Sequence, residues 1–268
     1  MAMSGRMMGG LLGGALLAVG LAQAQDDTFD EYRSMFGDDN PAIFIVDEGS
    51  ELWTQARGPE NVSLEQCDLG QGPGVVENVY GQLPRYFEDT DSVMDLEGRL
   101  IHCMVELQGF KREEIIEGIY SGAGDNGTEM EALVAYVADA SQGSKVAVPQ
   151  SHPEEKAAYK AGEALFYHRA GPYDFSCATC HRQSDKRIRL QSLPNLTEAE
   201  GARATYTTWP AYRISQGVVR TMGWRMRNCA RQQRLPELQP GSEAVVDLLM
   251  YMGVNAEGGS MDAPGLKR

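Results

Sequence analysis

Two cysteines followed directly by a histidine give the strongest chemical signal in the sequence. Cys177, Cys180 and His181 have the Cys-x-x-Cys-His spacing, at which two thiols add to the vinyl groups of a porphyrin and the histidine binds its iron. One helical turn presents both sulfurs to the same edge of the macrocycle. A thioredoxin-like dithiol has similar spacing but needs a strand-helix-strand context, which is not visible here. The motif therefore predicts one covalent haem c attached to Cys177 and Cys180, with His181 as iron ligand.

The second axial ligand of the iron separates an electron carrier from a catalyst. The conventional candidates are the methionine and histidine side chains His168, Met222, Met226, Met250 and Met252. Methionines at helical spacing pack in cores far more often than they bind a metal. Cys229 is the alternative, because a lone reduced thiol is a liability in an oxidising compartment unless it is bound or modified. Thiolate ligation lowers the reduction potential and indicates sulfur chemistry at the iron.

A basic segment surrounds Cys229. Residues 182–235 have a net charge of +8, whereas the whole chain has a formal net charge of −14. Its basic residues are Arg182, Lys186, Arg187, Arg189, Arg203, Arg213, Arg220, Arg225, Arg227, Arg231 and Arg234. Most of them fit a solvated face that offsets haem propionates. Arg225 differs because it stands four residues before Cys229, so a helix places both side chains on one face. A guanidinium there can bind a small sulfur oxyanion through paired hydrogen bonds.

The amino terminus predicts export from the cytoplasm. Arg6, an apolar run over residues 7–21 and Ala22-Gln23-Ala24 make up a secretory signal peptide at residues 1–24. The apolar run is shorter than the roughly 20 residues that span a membrane, and no other stretch approaches that length. We therefore expect a periplasmic protein without a membrane span. The acidic net charge argues against nucleic-acid binding.

The rest of the chain contains an internal duplication. An offset of 113 aligns Gly49, Leu52, Trp53, Gly58, Pro59 and Cys67 with Gly162, Leu165, Phe166, Gly171, Pro172 and Cys180. An offset of 126 then aligns Pro84, Tyr86, Arg99 and Cys103 with Pro210, Tyr212, Arg225 and Cys229. The shared order indicates two similar domains of ordinary size, residues 25–147 and 148–268.

Helical signals dominate the second copy. Ser151 and Glu154 have capping-box spacing with a proline between them, which predicts a helix from there toward Tyr167. Apolar residues at helical spacing after Ser242 predict a closing helix that Gly253 ends. No alternating apolar run of strand length stands out. The predicted fold class is therefore mainly α.

The first copy lacks the attachment motif. Leu64, Cys67 and Asp68 occupy the positions of Cys177, Cys180 and His181, so we expect no covalent haem in this domain. Cys67 and Cys103 remain, at positions that flank the porphyrin in a haem domain. Without a porphyrin between them a disulfide can close the gap, and it would contribute about 3 to 4 kcal/mol on the chain-entropy model. The architecture is thus predicted as two tandem cytochrome c-like domains, the first without haem.

This combination resembles SoxA, the catalytic subunit of the SoxAX cytochrome complex of sulfur-oxidising bacteria. The specific features are the paired domains, the haem motif in the second copy and the spacing of Arg225 and Cys229. The resemblance covers nearly the whole mature chain. It implies that Cys229 is the distal haem ligand and catalytic residue, commonly a persulfide, and that Arg225 binds substrate. It also implies the single-haem type, in which the first domain keeps a disulfide.

The resemblance implies an L-cysteine S-thiosulfotransferase. In this activity thiosulfate is joined oxidatively to a cysteine of the SoxYZ carrier protein, and electrons leave through haem to a SoxX cytochrome subunit bound as a heterodimer. Two other functions remain open at this point. One is a periplasmic electron-transfer cytochrome with a methionine on the iron, and the other is a thiosulfate dehydrogenase that forms tetrathionate without a carrier protein.

Overall fold

Helices make up most of the regular structure. The computed structural model describes residues 40–120, 127–188 and 191–268, so the predicted signal peptide lies outside the described residues. The helices in these ranges are α1 (Ala42–Thr54), α2 (Leu96–Glu106), α3 (Arg112–Tyr120), α4 (Glu129–Asp139), α5 (Pro153–Tyr167), α6 (Cys177–His181), α7 (Ala199–Tyr206), α8 (Met222–Gln232) and α9 (Glu243–Asn255). Single 3-10 turns cover Leu64–Gln66 and Tyr80–Gln82. The prediction of a mainly α fold is confirmed.

The strands are too short to show alternation in the sequence. They are β1 (Arg85–Phe87), β2 (Ser92–Met94), β3 (Arg187–Ile188), β4 (Gln191–Ser192), β5 (Ala211–Arg213), β6 (Val218–Arg220) and β7 (Gly265–Lys267). β1 pairs with β2, β3 with β4 and β5 with β6, all antiparallel, and β7 adds to β5 in parallel. No helix in the described ranges has the length and apolar character needed to cross a membrane.

Two helix pairs form the centres of the two hydrophobic cores. α1 packs against α4, and α5 packs against α9. Both crossings are close because a glycine lies at each contact. A Cβ atom on Gly49 would overlap the carbonyl of Ala132, and one on Gly162 would overlap the carbonyl of Asp247. The absence of a side chain at both glycines therefore sets the helix separation in the same way in each pair.

Local structure repeats along the chain at the offset found in the sequence. The β1–β2 hairpin leads into α2, and the β5–β6 hairpin leads into α8, with every boundary shifted by 126 residues. Each hairpin follows a cis proline, Pro84 in the first case and Pro210 in the second. The side chains of Asp95 and Thr221 then cap α2 and α8 at equivalent positions. Residues related by this offset can therefore be compared structurally.

Two predicted helix ends need correction. The capping residue of α5 is His152, not Ser151: His152 Nδ1 accepts from the N–H of Glu154, and the Glu155 carboxylate accepts from the N–H of His152. The capping interaction therefore starts one residue later than predicted, with Pro153 as the first helical residue. Near the end of the chain, α9 continues past Gly253 to Asn255.

Gly253 has a packing role rather than a terminating one. A Cβ atom there would come within 2.7 Å of the Val148 side chain and 3.1 Å of Tyr206. The helix approaches these neighbours closely because this position has no side chain. A glycine near the end of an apolar run gives the same sequence pattern in both situations, which explains why the predicted boundary was wrong.

Buried polar contacts join the first half of the chain to the second. The carboxylate of Glu131 on α4 accepts from Nη1 of Arg220 on β6 at 3.1 Å, and both side chains are 3% exposed. The Tyr206 hydroxyl donates to the carbonyl of Leu83 at 2.6 Å. Such groups are costly to bury without partners, so these contacts specify how the elements around β6 pack.

Candidate haem and catalytic site

A short capped helix presents the Cys-x-x-Cys-His motif. The N–H of Thr179 donates to the Ser176 hydroxyl at 3.3 Å, and the Thr179 hydroxyl accepts from the N–H of Ser176 at 3.0 Å. This reciprocal cap fixes the start of α6, which contains all five residues of the motif. Cys177 and Cys180 therefore lie one helical turn apart, as predicted, and neither is in a disulfide.

His181 is oriented as an iron ligand would be. Its Nδ1 lies 3.0 Å from the carbonyl oxygen of Pro194, and because a carbonyl can only accept, Nδ1 carries the proton. Nε2 is then left with a free lone pair, which is the arrangement that outer hydrogen bonds give to metal-binding histidines. Burial lowers the pKa of His181, and the charge of Arg225 lowers it further. The residues present thus fit a haem c: two thiols, and a neutral imidazole aimed by a backbone carbonyl.

Arg225 and Cys229 share one helix, as their spacing predicts. The Thr221 hydroxyl accepts from the N–H of Trp224 at 3.1 Å and caps α8. Arg225 and Cys229 then follow one turn apart, and both are half-buried. Burial raises the pKa of the Cys229 thiol, and the charge of Arg225 acts in the opposite direction. The guanidinium therefore favours the thiolate form in a setting that otherwise disfavours it.

Cys229 lies close to the attachment cysteines. Burial raises the pKa of Cys177 to about 11, and the largest charge interaction behind this shift comes from Cys229. Cys180 likewise contributes to the raised pKa of Cys229. The structure thus brings together the three thiols, His181 and Arg225, although they come from helices about 50 residues apart in the chain.

The competing ligand candidates differ in their surroundings. Met250 is fully buried in α9 and its sulfur accepts from the Gln150 amide at 3.0 Å. Met252 belongs to the same core, and Met222 lines a small cavity between the halves. His168 is exposed at the end of α5. Met226 packs half-buried against the second core.

A disulfide links the two cysteines of the first half. The Cys67 and Cys103 sulfurs are 2.05 Å apart, their Cα atoms are 5.7 Å apart, and both residues are buried. Asp68, at the position of His181, accepts hydrogen bonds from the N–H groups of Gly70 and Gly72. It therefore stabilises a turn at the place where the second half presents an imidazole.

A cavity of about 20 Å³ lies near the start of α8, with room for one water-sized molecule. Asp95, Glu97, Tyr80 and Tyr206 line its polar side. The buried Glu97 carboxyl also accepts from the hydroxyl of Thr221, the residue that caps α8. Burial, and to a smaller extent the charge of the Asp95 carboxyl, raises the pKa of Glu97 to about 8.

This raised pKa predicts a pH-dependent stability. In the unfolded chain Glu97 has its usual pKa of about 4.3 to 4.5, whereas in the folded chain it keeps its proton up to about pH 8. The contribution of Glu97 to stability is therefore full below about pH 4.5 and declines as the pH rises to about 8. Glu97→Gln should remove this decline and raise the free energy of unfolding by roughly 1 to 4 kcal/mol at about pH 8.5.

Urea unfolding of wild type and Glu97→Gln at about pH 5 and pH 8.5 measures the effect. Glu106→Gln is the matched control, because Glu106 is exposed on the same helix α2. It should leave the pH dependence as in wild type. If Glu97→Gln and wild type lost stability equally between the two pH values, Glu97 would not be the group responsible.

Two residues of this region carry no recognisable sequence motif. Pro194 reaches His181 only through the fold of the intervening loop. Arg213 is one of many basic residues in the sequence, and it comes near Arg225 because β5 pairs with the strand that leads into α8. Arg189, from the same basic segment, lies outside the described residues.

The helical fold and this grouping of thiols and imidazole place the protein among the c-type cytochromes. A family model described as SoxA/TsdA, cytochrome c domain, matches residues 48–146. A solved structure of SoxXA from P. pantotrophus superposes with a TM-score of 0.72 at 24% identity, covering 89% of this chain and 84% of that chain. This likeness shows the fold.

Sequence similarity to curated proteins gives the family. An L-cysteine S-thiosulfotransferase subunit SoxA of Hydrogenophilus thermoluteolus is 49% identical over 239 residues, which are 89% of this chain and 87% of that protein. A SoxA of Hydrogenobacter thermophilus is 33% identical over 85% of this chain and 82% of that protein. The chain belongs to the SoxA family of L-cysteine S-thiosulfotransferase subunits.

Proposed function

We propose that this chain is the catalytic subunit that joins thiosulfate to a cysteine of a SoxYZ carrier protein. A carrier thiol and thiosulfate give a carrier cysteine S-thiosulfonate, one proton and two electrons, and a new sulfur–sulfur bond forms. The observation that carries the proposal is the pairing of Arg225 and Cys229 on one helix beside Cys177 and Cys180. A thiol next to a guanidinium is suited to a negatively charged sulfur substrate.

One haem c in the second domain supplies the electron acceptor. Cys177 and Cys180 would form its thioether bonds, and His181 Nε2 and the Cys229 sulfur would bind its iron. When bound, haem c accepts electrons one at a time and passes them on. A SoxX cytochrome subunit is the proposed next acceptor, in a heterodimer like the SoxXA complex to which this fold is similar.

The chain's own residues have distinct roles in this reaction. Arg225 holds the sulfonate end of thiosulfate and stabilises the thiolate of Cys229. Cys229 is the sulfur that forms the covalent bond to substrate before the thiosulfonate unit passes to the carrier. The basic segment of residues 182–235 raises the local concentration of the anionic substrate.

The first domain has a supporting role and no haem. Residues 25–147 and 148–268 form tandem cytochrome c-like domains. The elements repeated at an offset of 126, with their equivalent cis prolines and caps, support this division. Leu64 and Asp68 replace a cysteine and the iron ligand, and the disulfide between Cys67 and Cys103 occupies the space between the two sulfur positions.

The signal peptide at residues 1–24 places the mature protein in the periplasm.

The holoenzyme can be tested with thiosulfate, a reduced SoxYZ carrier and an oxidised cytochrome acceptor. We expect mass spectrometry to show a thiosulfonate adduct on the carrier cysteine, with two acceptor molecules reduced per adduct. Omitting the carrier should stop acceptor reduction. Tetrathionate formed at full rate without the carrier would instead identify a thiosulfate dehydrogenase. Acceptor reduction by unrelated donors alone, with no adduct, would identify an electron-transfer cytochrome.

A further inference from the structure

The first half contains an arginine at the position of Arg225, and this arginine forms an ion pair with an aspartate. Arg99 follows the β1–β2 hairpin as Arg225 follows the β5–β6 hairpin. Its Nη1 and Nη2 lie 2.9 and 2.7 Å from the two carboxylate oxygens of Asp89, in the hairpin turn. Hydrogen bonds from Arg99 hold the pKa of Asp89 below its usual value. The fold therefore places an oxyanion directly against a guanidinium at this position.

The second half differs at the residues that surround this guanidinium. Ser215 stands where the first half has Asp89, so the carboxylate is missing from the equivalent turn. Arg213 stands where the first half has Phe87, whose ring lies 4.2 Å from the Arg99 guanidinium carbon. The hairpins have the same length and register, so these exchanges alter the side chains and keep the backbone frame.

No carboxylate of the described residues neutralises the positive charges of Arg213 and Arg225. Within the described ranges the guanidinium groups of Arg213 and Arg225 have no ion-pair partner, whereas the nearby Arg220 is bound to Glu131. Arg213 Nε is buried and makes no hydrogen bond there. Burial lowers the pKa of Arg213, and the charges of Arg225 and Arg220 lower it further. An anion between Arg213 and Arg225 would relieve both the repulsion and the missing hydrogen bond.

We propose that Arg213 and Arg225 form one oxyanion site beside Cys229, in the place that the Asp89 carboxylate fills in the first half, and that the sulfonate group of thiosulfate occupies it. Arg213 is then a second substrate-binding residue. Ser215 keeps the site open, because a carboxylate at that position would neutralise the pair. The choice of thiosulfate rests on the proposed function. A haem propionate has the same oxyanion chemistry and is the rival occupant.

The decisive variant restores the carboxylate of the first half. Ser215 is exposed in a turn, so Ser215→Asp should fold normally. The new carboxylate should occupy the arginine pair and weaken thiosulfate binding about 10- to 100-fold, the range that charge-assisted hydrogen bonds give. Arg213→Gln should weaken it by a similar factor, and Arg213→Lys should recover only part of the loss because lysine lacks the planar donor pair.

Calorimetric titration of thiosulfate into the oxidised holoprotein without carrier gives the dissociation constant, and a redox titration gives the haem potential. Ser215→Asn is the matched neutral control, and Lys160→Gln removes one exposed positive charge elsewhere; both should bind like wild type. Weaker binding with an unchanged haem potential supports the proposal.

Unchanged thiosulfate affinity in Ser215→Asp and Arg213→Gln overturns the proposal. So does unchanged affinity with a shifted haem potential in Arg213→Gln, because Arg213 would then hold a haem carboxylate. A wild-type protein that binds thiosulfate but forms no carrier adduct contradicts the proposed function and leaves the oxyanion site standing. The two failures are therefore distinguishable.

Discussion

Cys229→Ala is expected to lower kcat for thiosulfate conjugation by about 1,000-fold or more, while the haem content stays at one per chain. The expected loss is large because, in the proposed mechanism, the variant removes the sulfur that forms the covalent bond to substrate. Haem attachment should survive because it depends on Cys177 and Cys180 on a different helix. Steady-state assays with carrier and acceptor measure kcat, and a haem assay in alkaline pyridine measures the haem content.

The matched control for this prediction is Met226→Leu. Met226 lies on the same helix, half-buried against the second core, and it is the nearest rival ligand along the chain. We expect this variant to keep both its turnover and its ferric low-spin spectrum, whereas Cys229→Ala should change the spectrum because it removes the sulfur proposed to bind the iron. Full turnover by Cys229→Ala with bound haem would exclude a covalent role for this sulfur. A spectrum altered by Met226→Leu alone would identify a methionine-ligated electron carrier.

Sequence patterns were sufficient to predict the parts of the site whose residues are close together in the chain. The Cys-x-x-Cys-His helix needs only residues 176 to 181, and the pairing of Arg225 with Cys229 needs only helical spacing over four residues. Both predictions follow from the 3.6-residue period, which does not depend on the rest of the fold. The start of α5 was misplaced by one residue because Ser151 and His152 can each act as a cap, and the choice depends on the geometry of Glu155.

Contacts that the fold creates between distant segments could not be predicted in the same way. The hydrogen bond from His181 to Pro194 depends on a loop, and the approach of Arg213 to Arg225 depends on strand pairing. Strands of two or three residues are too short for an alternating pattern, so the hairpin that carries Arg213 had no periodic signal. The internal duplication nevertheless relates the two hairpins, because Phe87 and Asp89 align with Arg213 and Ser215 at the offset of 126.

The first half of the chain also contributes to the position of α8. Its helix α4 supplies Glu131, which binds Arg220 at the end of β6, and its helix α2 supplies Glu97, which bonds to Thr221. Arg220 and Thr221 directly precede α8, the helix that carries Arg225 and Cys229. The first half therefore provides buried polar contacts at the base of α8, which specify the position of this helix more strictly than apolar packing alone.

Breaking the strongest of these contacts should destabilise the whole protein. Glu131→Gln is expected to lower the free energy of unfolding by about 3 to 5 kcal/mol, because it leaves the Arg220 charge buried without its carboxylate. Glu129→Gln is the control on the same helix. It removes an ion pair with Arg57 whose carboxylate side chain is 54% exposed, so its cost should stay below about 1 kcal/mol.

Urea unfolding of the holoproteins at neutral pH measures both changes. The double variant Glu131→Leu with Arg220→Met separates the value of the ion pair from the cost of breaking it. We expect it to be more stable than Glu131→Gln, because an apolar pair of similar volume needs no compensation in the interior. If Glu131→Gln cost no more than Glu129→Gln, the Arg220 charge would have another sufficient partner, and the base of α8 would not depend on the first half of the chain for its electrostatic support.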